Sequence, residues 1–206
     1  MPPKNQDLHG NAPDHSPVAL LLVDMINDLE FPGAEGMLER AVAAAERTAA
    51  LRRRAKEAGI PVVYANDNFG RWRSDFRDVT EHVLRGGVRG EPLARILRPD
   101  PDDYFVLKPK HSAFFATTLE TLLKYLGVRR LVLTGISGDV CVLFTASDAY
   151  MRDFHLHVPE DCMASVSEEE NRRALAYMRR VFGADTTPST ELDMEALRRR
   201  GAEGEE

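Results

Sequence analysis

The chain has 206 residues, 43% of them hydrophobic and 29% charged, with 33 acidic against 27 basic side chains and a formal charge of -6. Such a length fits one α/β domain with a full core, and the composition is that of a soluble globular protein. With no basic surplus to meet phosphates, nucleic-acid binding is excluded as an expectation, and the two cysteines, Cys141 and Cys162, do not make a disulfide framework in a chain this long.

Residues 1–16 are polar and read as a flexible N-terminal arm with no apolar core of signal-peptide length. PVALLLVDM (17–25) is predicted as a buried strand. Its apolar run, Val18 to Val23, is far too short to cross a bilayer, so no membrane partner is expected and the cytoplasm is the default location. Residues 37–58 predict a helix, with Arg52, Arg53 and Arg54 on a solvated face, ended by Gly59 ahead of Pro61. A second strand follows at 60–65 and a third at 104–108 (YFVLK). Residues 117–126 predict a helix ended by Gly127, then a strand at 131–134, a helix at 139–152 and a strand at 154–158. On that last strand His155 and His157 alternate and so share a face, in a structural role. Residues 167–183 form a helix with Ser167 and Glu170 at capping-box spacing and Gly183 at its end. Domain boundaries are placed at 17–190, with a C-terminal helix or tail over 191–206, of which GAEGEE (201–206) reads as frayed.

Short apolar strands alternating with amphipathic helices imply βαβ units: a three-layer α/β/α fold around a mostly parallel sheet of about six strands. Such sheets bind ligands beyond the carboxyl ends of their strands. That rule directs attention to Asp24, Asn66 to Asn68, Lys108 and the stretch from Gly135 to Cys141.

Cys141 falls in TGISGDVCV (134–142), where a strand ends and a helix begins. Free amides at a helix start would stabilise a thiolate, lower the thiol pKa and hold a developing oxyanion. On position alone Cys141 could equally be a small buried hydrophobe. Asp24 ends the first apolar run and could take the thiol proton, or could cap a loop. Lys108 could stay charged beside Asp24 and favour a thiolate, with Lys110 as its competitor for that role. Asp28 reads as structural.

These segments together resemble the isochorismatase-like cysteine hydrolase family, which includes nicotinamidases, N-carbamoyl amidohydrolases and isochorismatases. The resemblance covers residues 17–190 and rests on DMINDL (24–29), KPKHSAF (108–114) and TGISGDVCV (134–142), in that order. It selects Lys108 over Lys110 and implies a catalytic triad of Asp24, Lys108 and Cys141. It further implies a cis peptide between Ile136 and Ser137, and an oxyanion hole made by the backbone amides of Ser137 and Cys141. Two departures matter. Ile26 replaces the family's usual Gln, and NDNFGRWRSDF (66–76) contains no histidine, so a nicotinamidase-type metal site is not expected and no cofactor is implied. Presence of the cysteine favours hydrolysis of a C–N bond in a small amide, ureido or carbamoyl molecule. An isochorismatase-type ether hydrolase, or a binding module or redox sensor using Cys141 and Cys162, stays open as an alternative. Asn68, Trp72, Arg73 and His111 are candidates for the substrate pocket, Arg73 through two hydrogen bonds to a carboxylate and Trp72 or His111 equally through packing. Cys162 reads as a buried small residue and Asp161 as a loop anchor. The resemblance also implies a homo-oligomer, a dimer or tetramer.

Overall fold

β1 (Val18–Val23) is buried at every position, as a parallel strand covered on both faces must be. It lies in the middle of a computed structural model that describes residues 14–70 and 75–203. β1 pairs in parallel with β2 (Val62–Asp67) on one side and β4 (Arg130–Ile136) on the other. β2 in turn pairs with β3 (Tyr104–Lys108). β5 (His155–His157) runs beside the first half of β4 and β6 (Met163–Ala164) beside its end, so the two short strands share one edge. Among the described residues the sheet has six strands, all parallel, in the order β3-β2-β1-β4-β5 with β6 on β4.

Alternation along β1 divides the core in two. Val18, Leu20 and Leu22 face a cluster built with α1 (Leu38–Glu57), α2 (Phe76–Arg85), α3 (Glu91–Ile96) and α7 (Met194–Glu203). Ala19, Leu21 and Val23 face a second cluster with α4 (Leu119–Leu126), α5 (Leu143–Tyr150) and α6 (Glu168–Phe182). The three-layer α/β/α architecture of the sequence reading is therefore the observed one. The helix punctuation is local. The Ser167 hydroxyl accepts from the Glu170 amide, and Gly183 and Gly127 close α6 and α4 in left-handed conformations. The sequence predicts no element between β2 and β3, where the chain forms α2 and α3. α2 starts at a capping box between Asp75 and Asp78 and buries Phe76, Val79 and Val83.

Three expectations are corrected. Residues 14–16 are anchored rather than free: the Ser16 amide donates to Leu126 and the Tyr104 hydroxyl to the Asp14 carboxylate at 2.7 Å. Residues 1–13 lie outside the described residues. Arg52 and Arg54 do not sit on a solvated face. Arg52 bridges α1 to Asp100 (2.6 Å) and to Asp103 (2.5 Å), whose side chain is 1% exposed, while Arg54 donates to the Leu192 carbonyl at 2.8 Å. Only Arg53 of the three is exposed. Finally, α7 continues to Glu203, and Gly201 is buried against Pro17, where a Cβ would come within 2.8 Å of the proline ring. Among the described residues no helix is long and apolar enough to cross a membrane.

Candidate active site

Parallel pairing brings the carboxyl ends of β1, β2, β3 and β4 to one edge of the sheet, and three sequence candidates meet there. Asp24 follows β1 directly, and its amide continues the ladder by donating to the Ala65 carbonyl. It adopts a left-handed backbone (φ 51), a conformation Asp tolerates better than most residues. Its carboxylate turns in under the sheet edge, where Oδ1 accepts from the Asp67 amide at 2.7 Å and Oδ2 lies 2.7 Å from Lys108 Nζ. Lys108 ends β3 with no exposed surface, in register with Asp67 of β2. Its ammonium also donates toward Cys141 Sγ at 3.7 Å and stands 3.8 Å from the Asp67 carboxylate. Lys110, the competitor, is exposed.

The cysteine arrives on a turn shaped by Gly135. This residue has φ +137, and a Cβ there would lie 2.1 Å from the Val23 carbonyl oxygen, so glycine alone lets β4 pass the end of β1. The Ile136–Ser137 peptide is cis. Gly138–Val142 then forms a π-helical turn, with the Ser137 carbonyl accepting from Val140 and Val142. The predicted helix over 139–152 is thus a wide turn carrying Cys141, followed by α5 from Leu143. Such π turns recur at functional sites. Polar side chains brace it: the Ser137 hydroxyl donates to the Asp139 carboxylate, the Asp139 amide to Ser165 Oγ (3.1 Å), and Ser165 Oγ to Asn171 Oδ1 of α6 (2.9 Å). Thr145 donates to the Cys141 carbonyl at 2.7 Å and accepts from the Ala113 amide at 3.0 Å, which ties the turn to the segment after Lys108.

The thiol does not behave as its place near a helix start suggests. Burial, reinforced by the Asp24 carboxylate and only partly opposed by Lys108, pushes Cys141 up to about 12. Desolvation and a neighbouring anion both favour the neutral thiol. Burial also pushes Asp24 above the ordinary carboxylate range, against the pull of Lys108. For Lys108 burial acts downward, but the attraction of Asp24 and of the Cys141 sulfur outweighs it, so the ammonium is held above its ordinary value. The site therefore sets a thiol held above its ordinary range beside an acid of raised basicity and a fixed cation. That set can pass a proton between sulfur and Asp24 while the total charge stays constant.

Among the remaining candidates, Asn68 is buried and its side-chain oxygen accepts from the Gly70 amide, forming a turn beside the site. His111 is exposed and packs on Phe144, one turn beyond Cys141, with ring centroids 5.6 Å apart. Trp72 and Arg73 lie outside the described residues. Ile26 is buried in the core and gives its carbonyl to Asn66. Asp28 accepts from the Glu30 amide, and Asp161 anchors Ser189 through both its backbone and its hydroxyl. His155 is exposed, while His157 pairs with Asp185 at 3.3 Å. Cys162 is wholly buried in the cluster on one face of the sheet, and Cys141 packs against the cluster on the other, so the two sulfurs are not placed to form a disulfide. Clefts of about 270 and 350 Å³ lie against α1 and behind α6, and neither includes Asp24, Lys108 or Cys141. Size is outweighed here by chemistry, because the convergent charged groups are at the strand ends. The sequence reading points to the stretch 66–68 but gives Asp67 no role of its own, although it is an acid at the carboxyl end of a strand.

The chain is similar in sequence and fold to known proteins. The sequence profile of the isochorismatase domain matches residues 18–190. The isochorismatase family protein YaaI of Bacillus subtilis is 40% identical over 174 residues, covering 84% of this chain and 95% of that protein. Maleamate amidohydrolase of Pseudomonas putida is 32% identical over 156 residues, 70% of this chain and 71% of its own. The crystal structure of N-carbamoylsarcosine amidase from Thermoplasma acidophilum superposes with a TM-score of 0.64 at 29% identity, covering 85% of this chain and 98% of the other.

Proposed function

The chain belongs to the isochorismatase family of hydrolases, and from that premise we propose that it is a cysteine amidohydrolase that cleaves the C–N bond of a small amide, ureido or carbamoyl compound. The observation that carries this reading is the junction at Lys108, whose ammonium is 2.7 Å from Asp24 and 3.7 Å from the Cys141 sulfur. Nucleophile, proton acceptor and cation are in mutual reach, as covalent catalysis requires.

The chemistry follows from the resting charges. Cys141 Sγ attacks the substrate carbonyl as its proton passes to Asp24. This route needs no standing thiolate, in keeping with a thiol held near 12. Raised basicity in Asp24 narrows the gap the proton must cross. Lys108 stays charged throughout and keeps Asp24 oriented. The oxyanion is received by the amides of Ser137 and Cys141, each such donor being worth about 10²–10³ in rate. Asp24 then gives its proton to the departing nitrogen, ammonia or an amine leaves, and a thioester remains on Cys141. Water enters, loses a proton to Asp24 and releases the acid, which regenerates the thiol. The net reaction consumes one water per C–N bond.

A screen of primary amides, ureido acids and carbamoyl compounds for ammonia release tests the proposal, with Cys141→Ala as control. Turnover by the wild type and none by the variant is the expected result. Hydrolysis that survives Cys141→Ala would overturn the mechanism, and survival on a vinyl ether would indicate protonation chemistry by Asp24 instead.

A further inference from the structure

We propose that Asp67 is a substrate-binding residue that accepts a hydrogen bond from the leaving –NH₂ group, and so selects unsubstituted amides and terminal ureido or carbamoyl groups. This rests on the amidohydrolase reading above and sharpens its substrate class.

Three observations carry it. First, Asp67 is on the catalytic face of the sheet. It alternates with Asn66, which turns away to the Ile26 carbonyl, and shares its face with Val63 and Ala65, which belong to the cluster that packs Cys141. It is in register with Lys108. Second, among the described charged groups of the site it is the one most open to an incoming molecule. Its side chain is 33% exposed, against 4% for Asp24 and 0% for Lys108. Third, its oxygens are unequally engaged. Oδ1 accepts from the Phe69 amide at 2.7 Å, whereas Oδ2 stands 3.8 Å from Lys108 Nζ, beyond hydrogen-bond length. Lys108 is committed to Asp24 at 2.7 Å.

Asp67 Oδ2 therefore presents an anionic acceptor with capacity to spare beside the group that protonates the leaving nitrogen. The Asp67 amide binds the Asp24 carboxylate directly, so the two acids are neighbours. A nitrogen within reach of Asp24 is flanked by Asp67, and an –NH₂ group has a second N–H to offer it. A hydrogen bond to a carboxylate is about twice as strong as a neutral one. An ester oxygen at the same place has no donor and meets the carboxylate lone pairs.

The test needs no knowledge of the natural substrate. Iodoacetamide and methyl iodoacetate carry the same alkylating carbon and differ in –NH₂ against –OCH₃. Alkylation of Cys141 by each is followed by peptide mass spectrometry, and the rate ratio is normalised to that of free glutathione. Any change in the thiol itself affects both reagents and cancels in the ratio, which a merely structural role for Asp67 would leave alone. Asp67→Asn keeps the oxygen that holds the Phe69 amide and replaces the open acceptor by a donor. Asp67→Ser, which can still accept from that amide, serves if the first variant does not fold. The wild type is expected to favour iodoacetamide about tenfold over the glutathione ratio, and the variants to lose that preference. A ratio that stays the same in the variants overturns the role of Asp67 and leaves the amidohydrolase reading standing. A wild-type ratio equal to that of free glutathione overturns that role likewise, while ammonia release with Cys141→Ala as control tests the amidohydrolase reading separately.

Discussion

Replacing Lys108 by Met should cost more stability at neutral pH than in acid, and the size of the difference follows from its surroundings. Lys108 has no exposed surface and its ammonium is 2.7 Å from an Asp24 oxygen whose side chain is 4% exposed. Methionine fills much of the same volume but leaves the carboxylate buried without its cation. Breaking a buried pair in this way costs about 3–5 kcal/mol. Burial already raises Asp24 above its ordinary value of 3.8, and Lys108 is the first of the influences that lower it. Without Lys108 the folded-state pKa rises further, while the unfolded value does not move. Above the unfolded pKa the unfolded chain then holds fewer protons than the folded one, so stability falls as pH rises toward the folded pKa, by up to about 1.4 kcal/mol per pH unit. Below the unfolded pKa the carboxyl is neutral in both states and that contribution to the deficit is absent. Urea unfolding of the wild type and Lys108→Met at pH 5 and pH 7 reads the effect directly. A deficit larger at pH 7 than at pH 5 is expected, and Asp24→Asn in the same chain should recover part of it. A deficit below about 1 kcal/mol at both pH values would refute the buried ion pair.

Other perturbations separate the parts of the account. Asp24→Asn removes the anion that helps hold the Cys141 thiol near 12 and leaves Lys108 in place, so the thiol pKa should fall and alkylation at pH 8 should quicken, while amide hydrolysis drops by about 10²-fold or more. Amide hydrolysis undiminished in Asp24→Asn would contradict the assigned proton acceptor. Gly135→Ala places a Cβ 2.1 Å from the Val23 carbonyl oxygen and should destabilise the protein by about 2–3 kcal/mol, a Tm decrease of about 5–10 °C by calorimetry. Arg52→Ala should cost about 1–3 kcal/mol through its lost bonds to Asp100 and Asp103, whereas Arg53→Ala should change urea stability by less than about 0.5 kcal/mol.

Much of the architecture was readable because it is written in local pattern. Val18 to Val23 is continuously apolar since both faces of β1 are covered, and a run that stops at Asp24 marks a strand end. Ser167, Gly127 and Gly183 announce helix boundaries through their own backbone and side-chain chemistry. Features that depend on distant pairing were not readable. Arg52 has the spacing of a surface residue, and only the fold brings Asp100, 48 positions away, to its guanidinium. Asp67 becomes part of the site through its register with Lys108, which no local motif encodes. α3 has six residues, too few for a helical period to stand out. The direction of the Cys141 pKa was misjudged for a related reason. A helix start is visible in TGISGDVCV, whereas the burial that dominates the thiol comes from neighbours supplied by other strands. Placement of Trp72 and Arg73 against the substrate remains a sequence expectation, because both fall outside the described residues.

The central claim is that the reaction passes through an acyl group on Cys141. Acid quenching during turnover of a primary amide or ureido substrate, followed by digestion and mass spectrometry, tests it most directly. The account predicts a peptide containing Cys141 that is heavier by the substrate's acyl group, absent from Cys141→Ala and lost on treatment with hydroxylamine. Steady turnover with that peptide unmodified, together with undiminished activity in Cys141→Ala, would contradict it.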